Sequence, residues 1–157
     1  MGRSCARRLA TALLVGCLGP AATVASNEVA TLAPASPRLE FALGSTPAAD
    51  AVLEVVVLEV RNPKNVPVGV LVTLQDSARK TVPVEVMRFA LFPADKPGRF
   101  IGRADKALDQ LAAHLGARPG RLILAVEFDP AAGAAPARSP VELSVSADWV
   151  AMPGTGR

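Results

Sequence analysis

The sequence predicts a mainly β fold: an antiparallel β-sandwich of six or seven strands with one amphipathic helix. Residues 51–60 are dense in β-branched residues, and residues 141–150 alternate between apolar and polar, with Trp149 on the apolar side. Such alternation buries one strand face and leaves the other in water, which is typical of a sandwich. Residues 104–115 instead repeat their apolar positions every three or four residues, as an amphipathic helix does. Gly116 follows and suits a left-handed helix end.

Turn residues separate the remaining elements. The short turn at residues 61–67 joins the second and third predicted strands, which are expected to pair as a hairpin. Pro83 lies near the start of the next strand and favours an edge position or a strand end there, because proline donates no backbone hydrogen bond. The predicted strands are residues 38–43, 51–60, 68–75, 81–92, 99–101, 122–128 and 141–150.

The first 26 residues have the three parts of an export signal. Three arginines occur among the first eight residues, residues 9–18 are apolar, and small residues then permit cleavage after Ala25 or Ser26. The sequence therefore predicts an export signal peptide at 1–26, an Ala/Pro-rich linker at 27–37, a β-sandwich domain at 38–150 and a tail at 151–157.

A second way of processing this leader stays open. Residues 14–17, Leu-Val-Gly-Cys, look like a lipobox, at which a bacterial lipoprotein is acylated and cut before its cysteine, so Cys17 is a candidate lipidation site. The expected location is periplasmic or secreted, or alternatively lipid-anchored in the cell envelope, with membrane contact only if Cys17 is lipidated. Cleavage after Ala25 or Ser26 would remove Cys5 and Cys17, the only two cysteines, and with them any disulfide or thiol chemistry.

The net positive charge of the chain comes from its predicted leader. The formal net charge is +3, but without the three leader arginines the rest has 14 basic and 14 acidic residues. Nucleic-acid binding is therefore not expected, because its usual footprint is a basic patch or stripe.

The sequence offers no catalytic set. His114 is the only histidine and falls in the last predicted helical turn, where the helix dipole favours a surface imidazole. Glu54 and Glu59 lie an odd number of residues apart on one strand and are expected on opposite faces. Glu127 and Glu142 are expected on the polar faces of neighbouring strands. No nucleophile, phosphate-binding or zinc motif is present, so we predict a non-enzyme without a cofactor or metal.

The order of elements resembles one protein family. Residues 108–117 (LDQLAAHLGA) are similar to a family helix that ends in Leu-Gly-Ala, and residues 122–130 (LILAVEFDP) are similar to the strand after it. Residues 89–92 look like the family's aromatic-ended strand. The family is the plant polyphenol oxidases and related type-3 copper oxidases, and the similar part is their C-terminal β-sandwich, the KFDV domain. The resemblance spans residues 51–150, although Val-Gly-Val-Leu at 68–71 replaces the naming tetrapeptide.

The resemblance implies a shielding domain without catalytic residues. In the family this domain covers the entrance to a six-histidine dicopper site, whereas this chain has one histidine. It therefore implies an exported, non-catalytic accessory protein that docks on, or helps mature, a partner dicopper oxidase. Phe92 and Phe100, near the turn at 93–98, are the candidate partner contacts, because aromatic residues at loops are typical docking anchors. The alternative is a structural or binding module of the cell envelope, as a lipoprotein.

Overall fold

The computed structural model describes residues 23–25, 28–45, 47, 51–78, 82–132 and 140–151, with the backbone alone at 23–25, 45 and 132. The predicted leader up to residue 22, with Cys5 and Cys17, and the tail from residue 152 lie outside the described residues. The elements are β1 (Thr23–Ala25), β2 (Ala30–Leu32), β3 (Arg38–Ser45), β4 (Ala51–Arg61), β5 (Val68–Asp76), β6 (Val84–Leu91), β7 (Gly98–Gly102), α1 (Asp105–Leu115), β8 (Arg121–Phe128), a 3₁₀ turn (Pro130–Ala132) and β9 (Glu142–Ala151).

Two sheets face each other across a common core. Sheet A has the strand order β1-β3-β8-β5-β6, and sheet B has the order β2-β9-β4-β7. Every pairing is antiparallel except β1 with β3, which is parallel. The predicted mainly β sandwich with one helix is confirmed. Its predicted strands correspond to β3 through β9, and the two three-residue strands β1 and β2 add to them.

The core is built by alternation along the strands of both sheets. In β9, Leu143, Val145 and Ala147 are buried, while the residues between them are partly exposed on the outer face. Phe41 of sheet A and Val55 of sheet B are completely buried in the same cluster. Burying one such side chain contributes about 1.5–3 kcal/mol relative to leaving it in water, so the two inner faces together are the main source of stability.

The helix closes one end of this sandwich. It buries Ala107 and Leu111 and contacts β5 and β6. Gly116 ends it with φ of 65°, in the left-handed region that glycine adopts most readily, as predicted. No helix among the described residues is long and apolar enough to cross a membrane.

The carboxylate of Asp76 attaches the segment after the helix to the end of β5. Its Oδ2 accepts the Gly120 N–H at 2.8 Å, and its Oδ1 accepts the Ala78 N–H at 2.9 Å. Because the carboxylate is buried, these charge-assisted bonds are stronger than neutral ones, and they hold the start of β8 in place.

The predicted hairpin between the second and third predicted strands, which are β4 and β5 in the structure, is wrong. β4 lies in sheet B between β9 and β7, whereas β5 lies in sheet A between β8 and β6. Both strands are apolar along most of their length, and a central position gives each two hydrogen-bonded neighbours and a buried inner face. The two strands therefore occupy the interiors of opposite sheets, and residues 62–67 cross from one sheet to the other.

The linker prediction is wrong at Ala30–Leu32, which form strand β2. This strand pairs with β9, and Leu32 lies opposite Leu143 with an exposed fraction of 0%. The Ala/Pro-rich composition favoured a flexible segment, but one leucine placed opposite a core leucine is enough to anchor it. Trp149 lies on the core face of β9 as expected, yet it is only half-buried, and its indole N–H has no hydrogen-bond partner among the described residues.

Leu32→Ala tests the anchoring of β2. We expect the free energy of unfolding to fall by about 2–5 kcal/mol, because the substitution leaves a cavity in a closed core. Urea denaturation of this variant and of Val29→Ala gives the comparison, since Val29 is 56% exposed. The control should change stability by less than about 0.5 kcal/mol. Equal, small effects of both substitutions would contradict the structural role of β2.

Candidate docking site

Two loops lie side by side at the end of the sandwich opposite the helix. Residues 62–67 join β4 to β5, and residues 92–97, called the Phe92 loop from this point, join β6 to β7. Each connection crosses between the sheets, since β4 and β7 belong to sheet B and β5 and β6 to sheet A. Two crossings at one end bring the two loops together.

The side chain of Asn62 fastens these loops to each other. Its Nδ2 group donates to the Val66 carbonyl at 2.8 Å and to the Ala94 carbonyl at 3.0 Å. Its Oδ1 accepts the Val66 N–H at 3.1 Å. With only 9% of the residue exposed, these bonds form away from water, where losing them is costly. Asn62 therefore closes its own loop and ties it to the Phe92 loop.

Local backbone bonds complete both loops. The Asn65 N–H donates to the Asn62 carbonyl at 2.9 Å, and Asn65 has φ of 47°, a left-handed conformation that asparagine tolerates better than most residues. In the Phe92 loop, the Lys96 N–H donates to the Pro93 carbonyl at 3.2 Å. The peptide bond between Phe92 and Pro93 is cis. The two backbone hydrogen bonds give each loop a defined backbone that can present side chains in one geometry.

Phe92 projects from this framework into solvent with an exposed fraction of 98%. Beside its ring is an apolar depression of about 250 Å³, lined by Asn65, Pro67, Leu91, Phe92, Pro93 and Ala94. An exposed phenylalanine forgoes the free energy that its burial would contribute, which for a large apolar side chain is about 1.5–3 kcal/mol. An aromatic side chain on a fixed backbone, next to an apolar hollow, has the features of a docking anchor.

Charged groups border this apolar surface. Asp95 and Lys96 are exposed on the Phe92 loop, and Lys96 Nζ lies 3.9 Å from Asp95 Oδ2. An exposed pair of this kind contributes between about 0 and 1 kcal/mol to stability. Its place next to an apolar centre is that of the polar rim found around protein interfaces.

The structure places Phe100, the second predicted contact, in the sandwich rather than beside the depression. Phe100 lies in β7 on the core side and stacks on Phe89 of β6, with ring centroids 3.7 Å apart and an interplanar angle of 13°. A Cβ atom at Gly98 would lie 2.9 Å from the Phe100 ring, so glycine is needed there to make room. The two rings join the edges of the two sheets. Of the two predicted residues, Phe92 alone reaches the surface beside the depression.

The predicted placement of the strand glutamates is wrong in two respects. A register shift between Val57 and Glu59 reverses the alternation of β4, so Glu54 and Glu59 both lie on the outer face of sheet B. Five residues of strand separate them by roughly 16 Å, beyond the ~5–9.5 Å between glycosidase carboxylates. Glu127 and Glu142 are not on neighbouring strands, because β8 and β9 belong to different sheets.

The remaining candidates for chemistry are ordinary surface groups. Glu127 Oε2 lies 3.4 Å from Arg38 Nη1, and Glu142 Oε2 lies 3.5 Å from Arg61 Nη1. Both are ion pairs on the outer faces of their sheets. His114 is exposed in the last helical turn, as predicted. Within the described ranges, no group of three or more His, Cys, Asp or Glu side chains could hold a metal ion.

A buried carboxylate orders another segment at the same end. Asp129 Oδ1 accepts the Ala131 N–H at 2.9 Å, and Asp129 Oδ2 lies 3.4 Å from Arg88 Nη1 as an ion pair. The pKa of Arg88 is raised by its hydrogen bond to Glu85 and, secondly, by the charge of Asp129. Asp129 thus fixes the chain as it leaves β8. The sequence analysis predicted neither this role of Asp129 nor the role of Asn62 in joining the two loops. For Asn62 the only signal in the sequence was the turn-like composition of residues 61–67.

Comparisons with known proteins find similar solved structures but no family. No protein-family model matches the chain, and no curated protein matches it. Among solved structures, it is similar to latent aurone synthase, a polyphenol oxidase, with a TM-score of 0.43 and 11% identity over 74% of this chain and 24% of that chain. Recombinant latent aurone synthase co-crystallised with hexatungstotellurate(VI) gives a TM-score of 0.40 and 10% identity over 73% of this chain and 24% of that chain.

A bacterial domain is also similar in fold. The pre-peptidase C-terminal domain of a collagenase from Bacillus anthracis gives a TM-score of 0.37 and 12% identity, over 82% of this chain and 94% of that domain. This chain spans about a quarter of the length of the aurone synthase chains. Two of these three structures are polyphenol oxidases, the family that residues 51–150 resemble in sequence.

Asn62→Ala tests how the candidate site is held. We expect a loss of about 1–3 kcal/mol in the free energy of unfolding, because the half-buried backbone groups of Val66 and Ala94 lose their hydrogen-bond partner. Amide exchange in the Phe92 loop should also become faster. Lys64→Ala is the matched control, as Lys64 is exposed in the same loop, and it should leave both urea melts and exchange unchanged. Unchanged exchange in Asn62→Ala would show that the loop is held by other contacts.

Proposed function

We propose that this chain is a non-catalytic accessory protein that is exported and docks through the Phe92 loop on an exported dicopper oxidase. The observation that carries the proposal is the exposure of Phe92 on a loop that Asn62 fastens in place. A rigid aromatic anchor loses little conformational entropy on binding, so its burial is retained as affinity. The class of partner comes from the resemblance of residues 51–150 to the sandwich of type-3 copper oxidases.

In this proposal the chain shields or helps mature the oxidase without taking part in its chemistry. The apolar hollow next to Phe92 receives a side chain of the partner, while Phe92 itself enters a pocket on the oxidase. Asp95 and Lys96 surround this centre and give orientation rather than affinity, since charges at an interface rim contribute little to binding energy.

The alternative, a binding module anchored in the cell envelope, is favoured by residues 14–17. Only five residues lie between Cys17 and Thr23, the first residue of β1. Such a segment spans at most about 20 Å when fully extended. A lipid on Cys17 would therefore keep the sandwich close to the membrane surface.

Co-expression with an exported dicopper oxidase of the same organism, followed by co-purification, tests the accessory role. Phe92→Ala should weaken the complex by roughly 30-fold in Kd, which corresponds to the loss of about 2 kcal/mol at an anchor residue. Val82→Ala is the matched control: Val82 is apolar, 75% exposed and at the opposite end of the sandwich. Binding of the oxidase by the native chain and by the control, together with a change in oxidase activity or copper loading, supports the proposal. An oxidase that neither associates nor changes would contradict it.

The mass of the exported protein tests the leader. We expect a mature chain that begins at Ser26 or Asn27 and contains no cysteine, because small residues precede both positions. Cys17→Ser should leave this product unchanged. An acylated N-terminal Cys17 that disappears in Cys17→Ser would instead establish the envelope-anchored alternative, and a full-length product in the cytoplasm would contradict export.

A further inference from the structure

The outer edge of β3 carries a short strand from the predicted leader. Residues Thr23–Ala25 form β1 and pair in parallel with Glu40, Phe41 and Ala42. Cleavage after Ala25 or Ser26, as in the export proposed above, would separate this strand from the domain. The edge of β3 would then lose the partner that it has in the uncut chain.

The hydrogen-bond pattern shows which groups of β3 face β8. The Phe128 N–H donates to the Pro37 carbonyl at 3.4 Å. Hydrogen-bonded and non-hydrogen-bonded pairs alternate along an antiparallel ladder. The register continues from that pair without a shift through Leu39 and Phe41, so these two residues direct their N–H and C=O groups to β8.

The residues between them face the edge. Arg38, Glu40 and Ala42 direct their N–H and C=O groups away from β8, toward the side on which β1 lies. An edge strand with free backbone groups is a template for pairing with another chain. β3 has eight residues, whereas β1 pairs with three of them. Loss of β1 therefore frees the edge-facing backbone groups of Glu40 and Ala42.

The side chains along this edge are self-complementary. Arg38 and Glu40 lie on the same outer face, and Arg38 Nε is 3.2 Å from Glu40 Oε1. In a two-fold antiparallel pairing centred on Leu39, Arg38 of one copy lies opposite Glu40 of the other. Opposite charges directly across a ladder stabilise the pair. These two residues also direct their backbone groups to the edge, so the same register satisfies the hydrogen bonds.

We propose that the edge of β3 is a docking site for a second copy of this chain, that Thr23–Ala25 cover it in the uncut chain, and that removal of the leader opens it. The proposal rests on the leader cleavage of the proposed function. Such a contact is isologous: each copy contributes the same strand, and the two sheets A join into one.

Sedimentation velocity of two chains tests this site. The full chain should be monomeric, whereas a chain that begins at Ser26 should form a dimer whose fraction rises with protein concentration. In dilute solution, the amides of Glu40 and Ala42 should exchange at least about tenfold faster in the shorter chain, because β1 no longer covers them. A shorter chain that stays monomeric at every concentration, or a full chain that dimerises equally well, would overturn the proposal.

Proline substitution in the shorter chain locates the interface. Glu40→Pro removes an N–H that faces the edge opposite Arg38 of the second copy and makes no bond to β8, so the domain should fold and the dimer should be lost. Ala90→Pro is the matched control: Asp129 donates to the Gly69 carbonyl at 2.9 Å, so by the same alternation Ala90 faces the free edge of β6. This variant should still dimerise. Dimerisation of a folded Glu40→Pro chain would overturn the proposal.

The test is separable from that of the proposed function. The shorter chain is expressed directly, so its oligomeric state reports on the β3 edge even if exported material proves to be uncut. Phe92→Ala in this chain should leave dimerisation unchanged, since Phe92 lies in the loop after β6 and not along β3. Loss of the dimer in Phe92→Ala would show that copies meet at the Phe92 loop and would overturn the β3 assignment.

Discussion

The burial of β4 and β5 in opposite sheets is the constraint from which the rest of the structure follows. Each strand is apolar along most of its length, and each has a neighbour on both sides. Their inner faces meet across the core, where burial of each large apolar side chain contributes about 1.5–3 kcal/mol. Two strands that face each other across a core cannot also pair as a hairpin. The connection between them must therefore cross from one sheet to the other.

That crossing accounts for the candidate docking site. Residues 62–67 turn over the open end of the sandwich, and a backbone that leaves a sheet loses its ladder hydrogen bonds. Asn62 replaces some of them and reaches the Ala94 carbonyl, which fixes the Phe92 loop next to the crossing. With both loops held, Phe92 has no core position to occupy and lies in solvent. Its exposure is thus a consequence of the route of the chain, which also puts the ring beside the apolar depression.

Each sheet has a three-residue strand at one of its edges. β2 covers β9 in sheet B, and β1 covers β3 in sheet A, each with three residues. Very short edge strands are a common way to prevent unwanted pairing between molecules. β2 is anchored through Leu32 in the core and belongs to the domain. β1 lies in the predicted leader, so β3 would lose this cover under the proposed cleavage.

Much of the fold could be predicted from local patterns. Alternation in residues 141–150 and the three- and four-residue spacing before Gly116 depend only on near neighbours in sequence, and β9 and α1 form there. The exposure of a loop phenylalanine could also be expected, because turn residues follow Phe92 directly. The partner of β5 could not be predicted, since pairing depends on which strands compete for the same edge.

By itself, the sequence determined the seven strands β3 to β9, where the helix ends and which faces are apolar where the alternation is unbroken, as in β9, because these properties follow from periods of two and 3.6 residues. Only the tertiary structure decided that Leu32 joins the core, that a shift in β4 puts Glu54 and Glu59 on one face, and that Phe100 stacks while Phe92 does not. These outcomes depend on residues far apart in the chain that meet only when the two sheets close over one another.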